Sequence, residues 1–123
     1  MPRLSRGSLD RLSTCDPMLQ ILMKEAIRFE DFSVLCGRRG ELAQNKAYEQ
    51  GFSKVMFPDS AHNKTPSIAV DIAPYPLDWN NIFSFYKLAA CVLGVASELG
   101  IKVKWGGHFK DWFDGAHYEL RLE

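Results

Sequence analysis

Ser67-Ile-Ala-Val-Asp-Ile-Ala73 alternates with a period of two: Ile68, Val70 and Ile72 fall on one side, and Ala69, Asp71 and Ala73 on the other. Successive side chains of an extended chain point to opposite faces, so this period predicts a β-strand over residues 67–73. One face is apolar throughout. The other carries a single acid, Asp71, among small residues. Pro74 and Pro76 end the strand, since proline has no N–H to give to a ladder.

Upstream, Phe32-Ser-Val-Leu-Cys36 is short, β-branched and aromatic, which predicts a second strand stopped at Gly37. Residues 40–50 are rich in good helix formers, and Gly51 supplies a C-terminal stop. Residues 52–67 are polar and punctuated by Pro58, Asp59, Asn63 and Pro66; a loop of this length is usually functional. Residues 8–26 predict a helix with a broken apolar stripe (Leu9, Leu12, Met18, Leu19, Leu22, Met23), and Pro17 opens its second half. Downstream, Asp78 is the predicted cap of a long helix running from 79 or 80 to 99, closed by Gly100. Phe83, Phe85 and Tyr86 on it read as core, and Cys91 as a small buried hydrophobe. Residues 101–105 predict a strand and Gly106-Gly107 a turn. Residues 117–122 predict a last strand, with Tyr118, Leu120 and Leu122 opposite His117, Glu119 and Arg121. This order predicts one α+β domain over residues 1–123, with helices packed against a small, largely antiparallel sheet.

Composition narrows the function classes. A chain of 123 residues that is 46% hydrophobic and 24% charged has room for one core and is not disordered. Fifteen basic residues balance fifteen acidic ones, which argues against nucleic acid as a partner. Cys15, Cys36 and Cys91 form no CxxC pair, and their odd number suits a reducing compartment. The basic N-terminus is followed by Gly7-Ser8-Leu9-Asp10 and not by an apolar core, so no signal peptide is expected and synthesis in the cytoplasm is. Residues 82–99 include Lys87 and Glu98 and read as a buried helix, with no membrane partner expected. Nothing in the chain calls for more than a monomer.

Of the three histidines, His62 lies in the long loop and His117 opens the last strand. With Asp71 they make two imidazoles and a carboxylate, the ligand types of a catalytic zinc site with an open position for water. Asp114, three residues before His117, is placed to act as general base. Spacing alone leaves the alternative open: a solvated loop histidine, a capping aspartate and a satisfied strand histidine. The helix-borne HExxH signature is absent.

The residues around these positions come in a specific order: Ser60-Ala-His62, Pro66-Ser-Ile-Ala-Val-Asp71, Trp105-Gly-Gly107 and Asp114-Gly-Ala-His117-Tyr-Glu-Leu120. The ordered set resembles the D-alanyl-D-alanine carboxypeptidase/L-alanyl-D-glutamate endopeptidase family of zinc peptidases, above all its short phage endolysins. Cys36-Gly-Arg-Arg39-Gly40, Gln44-Asn-Lys-Ala47, Gly51-Phe-Ser-Lys54 and Ala73-Pro-Tyr-Pro-Leu-Asp-Trp79 also look like that subgroup. The likeness covers about three-quarters of the chain, roughly residues 32–122. It implies a hedgehog/DD-peptidase-like fold and a zinc ion on His62, Asp71 and His117. It also implies Asp114 as catalytic acid/base and Arg39 as the group that stabilises the oxyanion; the alternative for Arg39 is a surface ion pair with Glu41. Two departures stand out. His108-Phe109 replaces the subgroup's Asp-Trp after the paired glycines, which bears on specificity. The spacing from His62 to Asp71 is longer than in enzymes that release a single D-alanine.

The resemblance thus implies a zinc peptidase that cuts the stem peptide of bacterial peptidoglycan at the L-alanyl-D-glutamate bond and reaches the wall after release from the cell. Ligand histidines must be deprotonated to hold metal, so the expected pH optimum is near or above neutrality. Two alternatives are a D-alanyl-D-alanine carboxypeptidase or dipeptidase and a non-catalytic zinc-binding wall-recognition module. Asp114 separates the second from an enzyme, because a binder has no need of an acid there. Trp112 and Phe113 either line the peptide groove or pack its wall.

Overall fold

The computed structural model describes residues 2–121. Its elements run α1 (Arg6–Leu12), α2 (Pro17–Ala26), β1 (Phe32–Cys36), α3 (Glu41–Glu49), β2 (Ala69–Pro74), α4 (Ile82–Leu99), β3 (Val103–Trp105) and β4 (His117–Leu120), with 3-10 turns at Ala61–Asn63 and Gly106–His108. The four strands pair in the order β1-β2-β4-β3, each pair antiparallel. This is the α+β architecture that the apolar patterning predicts.

The core lies between the sheet and α1, α2 and α4. Leu12, Leu19, Leu22 and Met23 meet Val34, Val70, Ile72, Leu88, Val92 and Tyr118 there, all nearly or fully buried. Burying side chains of this size contributes roughly 1.5–3 kcal/mol each, so this face anchors the sheet. The alternation along β2 holds, since Val70 and Ile72 face the helices. Ala69 and Ala73 are buried as well, so both faces of the strand are covered around Asp71.

Several boundaries differ from the sequence expectation. Residues 8–26 form two helices: Asp16 accepts a hydrogen bond from the Met18 N–H, and Pro17 occupies the first turn of α2. The break is used, because the Asp16 N–H donates to the Ser67 carbonyl (2.8 Å) and the Ser67 N–H to the Thr14 carbonyl (3.0 Å). That ties the entrance of β2 to the helical layer. The long helix starts at Ile82 with Asn81 as its cap, while Asp78 caps only the turn at Asn80. Starting later, its first turn projects Phe83 and Tyr86 outward, 76% and 49% exposed, and only Phe85 is core. Cys91 is half-buried. By length and hydropathy α4 would pass for a membrane span, yet Leu88, Ala89, Val92 and Ala96 pack into the core. Gly100 ends the helix at φ +71°, as a left-handed cap requires. Leu122, expected on the core face of β4, lies outside the described residues.

Candidate metal centre and cleft

Strand register brings the first two candidates together. Asp71 pairs with His117 across β2 and β4, and with Cys36 across β1 and β2. A bulge between Val34 and Cys36 sets the latter pairing and turns the chain toward Gly37. His62 comes from the long loop. Its 3-10 turn is a capping box in which Ser60 Oγ accepts from the His62 N–H (3.2 Å) and Asn63 Oδ1 accepts from the Ser60 N–H (3.0 Å).

The two rings converge on one carboxylate oxygen. His62 Nε2 and His117 Nδ1 each lie 3.2 Å from Asp71 Oδ1. Their outer nitrogens fix the tautomers. His62 Nδ1 donates to the Gly37 carbonyl at 2.8 Å, and a carbonyl can only accept. His117 Nε2 donates to Glu119 Oε1 at 2.7 Å. Each neutral ring therefore turns a lone pair toward Asp71, the arrangement by which a metal-ligating histidine is usually oriented. Gly37 is required here, since a Cβ would collide with the Arg11 carbonyl and the Thr14 hydroxyl.

The surroundings of both rings favour positive charge on them. Burial alone would lower the His62 pKa, but hydrogen bonds to Asp71 and Cys36 outweigh it and raise the value to about 10. His117, buried likewise and set between Asp71 and Glu119, rises to about 9. Burial would raise Asp71, yet the hydrogen bonds from His117 and His62 hold it well below the usual carboxylate range. Two imidazoles around a carboxylate form a site that demands positive charge, which is the chemistry of a divalent-metal donor set. Cys36, His62 and Asp71 also offer three donor atoms within 4.8 Å of one another. The ring atom facing Cys36, at 4.0 Å, is Nδ1, already engaged by Gly37.

Asp114 and Arg39 flank the cluster. Asp114 Oδ2 is 3.9 Å from His117 Nδ1, on a turn held by the Asp114 N–H donating to the Gly106 carbonyl (3.0 Å). A Cβ on Gly106 would collide with the Asp114 backbone, so a glycine is needed at that approach. Burial first, then the neighbouring Asp71, push the Asp114 carboxyl above its ordinary value. Arg39 pairs with Asp71 Oδ2 at 3.5 Å, and Glu41 is not its partner. Its Nη1 donates to Gln44 Oε1 at 3.0 Å.

The sequence reading missed Gln44, Asn63 and Glu119. Gln44 is fully buried and joins three segments: its Oε1 accepts from Arg39 and from Asn63 Nδ2 (3.1 Å), and its Nε2 donates to Ser53 Oγ and the Val55 carbonyl, both at 2.8 Å. The resemblance includes it in the fragment Gln44-Asn-Lys-Ala47 but gives it no role. Glu119 did carry a signal, since two residues after His117 on a strand is the same face.

Arg39, His62, Asp71, Asp114, His117 and Glu119 border one cleft of about 440 Å³, whose wall includes Lys54, Phe109 and Trp112. Trp112 thus lines the groove, whereas Phe113 packs against Tyr86 and Trp105. His108 stands edge-on to Trp105, 5.0 Å between ring centroids.

Comparison with known proteins identifies the family and the fold. The family model described as phage L-alanyl-D-glutamate peptidase matches residues 1–121. The L-alanyl-D-glutamate peptidase of Escherichia phage T5 is 30% identical over 139 residues, covering 96% of this chain and 97% of that protein. The crystal structure of the Serratia marcescens L-Ala D-Glu endopeptidase ChiX superposes with a TM-score of 0.81 at 28% identity, covering 98% of this chain and 92% of that one. With a family model spanning nearly its whole length and a fold shared with an endopeptidase of the same specificity, the chain belongs to the phage L-alanyl-D-glutamate peptidase family.

Proposed function

We propose that the chain is a peptidoglycan hydrolase that cuts the L-alanyl–D-glutamate amide of the bacterial stem peptide with one zinc ion held by His62, Asp71 and His117. The observation that carries this reading is the convergence of His62 Nε2 and His117 Nδ1 on Asp71 Oδ1, with Asp114 beside them and not among them. Zinc in such a set is a Lewis acid that activates water near neutral pH and polarises a carbonyl. Asp114 takes the proton of the attacking water on its carboxylate and delivers it to the leaving nitrogen; its raised pKa suits both halves of that transfer. Arg39 holds its guanidinium at the rim, where the attacked carbonyl oxygen gains negative charge. Gly37 and Glu119 keep the two imidazoles in the tautomers that leave Nε2 of His62 and Nδ1 of His117 free.

The test is digestion of purified peptidoglycan by the zinc-loaded protein, read by mass spectrometry. New amino groups on peptides that begin with D-glutamate are the expected products. Loss of one terminal alanine instead would mean a carboxypeptidase. Asp114→Asn is expected to lower turnover by roughly 10²–10⁴-fold while zinc content stays at one per chain. Unchanged turnover in that variant refutes the role given to Asp114.

A further inference from the structure

Two side chains of the cleft wall, Lys54 and Trp112, have no part in the hydrolytic step. Lys54 Nζ lies over the Trp112 ring, 5.3 Å from its centroid. Its position is built in, although the side chain itself is exposed. Residues 53–55 form a tight turn clamped on both sides of Lys54 by the buried Gln44, and Ser53 Oγ closes it by donating to the Val55 carbonyl at 3.1 Å. The other end of the same glutamine holds Arg39 and Asn63, so the turn is fixed relative to the histidine cluster. Among the described residues Lys54 has no carboxylate partner, whereas Lys87 and Lys104 pair with Glu30 and Glu119. Arg39 is already engaged by Asp71 and Gln44.

The substrate's chemistry supplies a partner. A D-glutamyl residue acylated on its nitrogen by L-alanine has two carboxyl groups, and only one can continue the peptide. The other is a free carboxylate or a carboxamide. A free carboxylate entering this cleft meets Asp59, Asp71, Asp114 and Glu119 on its walls. Like charges at short range are costly in a partly dry site, so a cation must receive it. Trp112 borders the same cleft as Asp114, the group that serves the leaving nitrogen, two residues along the chain, and we take the Lys54–Trp112 pair to face the leaving side.

Building on the proposed function, we infer that Lys54, held over Trp112, binds the free carboxylate of the D-glutamyl residue and makes the enzyme prefer it to the carboxamide. Lys64 also borders the cleft, but among the described residues no buried side chain clamps it. The face of Trp112 attracts the Lys54 ammonium itself, so that charge is presented with little rotamer freedom left to lose.

The test uses the zinc-loaded full chain and two peptides, acetyl-L-alanyl-D-γ-glutamyl-L-lysine and its counterpart with a carboxamide in place of the free glutamyl carboxylate. The wild type is expected to favour the carboxylate peptide about tenfold or more in kcat/KM. Lys54→Met, which removes the charge and keeps an unbranched side chain of similar length, is expected to raise KM for that peptide by roughly ten- to hundredfold with little change in kcat. The carboxamide peptide should stay within about twofold of the wild-type value, and Lys54→Arg should restore most of the preference. An absent preference in the wild type, an equal effect of Lys54→Met on both peptides, or a preference that vanishes only in Lys64→Met overturns the inference while leaving the hydrolase reading intact. Cleavage of neither peptide by the wild type removes both.

Discussion

The two imidazoles that face Asp71 are held by opposite means. His117 stands on a strand, and its partner across the ladder is Asp71 itself, so hydrogen bonds of the sheet set the distance between them. Glu119, on the same strand face, fixes its ring. His62 stands on a loop that reaches the site only through side chains: Ser60 and Asn63 form its turn, Gly37 offers a carbonyl, and the buried Gln44 ties Arg39 and Asn63 to the turn at 53–55. The sheet half is rigid because its backbone is. The loop half is rigid only as long as a polar network stays complete, and a partly broken buried network costs more than any one of its bonds suggests.

The largest expected effect tests both halves together. In the metal-free protein, the His62 and His117 pKa values of about 10 and about 9 lie above the ordinary histidine value of 6.5. Groups raised on folding stabilise the folded state fully below the unfolded value, and that contribution is lost as pH rises through the folded one. Urea unfolding of the metal-free protein should therefore show stability falling, by several kcal/mol, as pH goes from about 6.5 to 10. With zinc bound, the ion replaces those protons and the fall should disappear. A metal-free curve that is flat across this range would show that the rings carry no such protons.

Gln44→Ala isolates the loop half. It leaves Arg39, Asn63 and the turn at 53–55 short of partners, at an expected cost of about 3 kcal/mol in the midpoint of denaturation. Turnover should fall with it because Arg39 loses its support, and KM should rise because Lys54 loses its own. Glu119→Ala isolates the sheet half and should weaken zinc affinity by roughly 10–100-fold with a smaller change in stability. Glu119→Gln, whose carbonyl oxygen can still accept from His117 Nε2, should recover most of that affinity. The smallest effect is Tyr118→Phe. The Tyr118 hydroxyl is buried with no hydrogen-bond partner among the described residues, so its removal should change stability by less than about 1 kcal/mol, in either direction.

The same contrast governs what the sequence makes legible. Alternation along residues 67–73 and 117–120 places Asp71, His117 and Glu119 correctly, because a strand's period is a local property. The resemblance of ordered motifs locates His62, Arg39 and Asp114 as candidates. No local property announces Gln44: it sits in a helix of ordinary formers, and its importance comes from three segments meeting around it. The facing of Cys36 and Asp71 is equally hidden, since one bulge in β1 decides it. The start of α4 is not legible locally, because Asp78 and Asn81 are both fit to cap and each caps a turn.

The central claim is that Asp71 and the two histidines, and not Cys36, hold the metal. X-ray absorption at the zinc edge of the loaded protein tests it most directly. The account predicts a first shell of nitrogen and oxygen alone at about 2.0–2.2 Å, unchanged in Cys36→Ser. A sulfur scatterer near 2.3 Å that disappears in Cys36→Ser would contradict it.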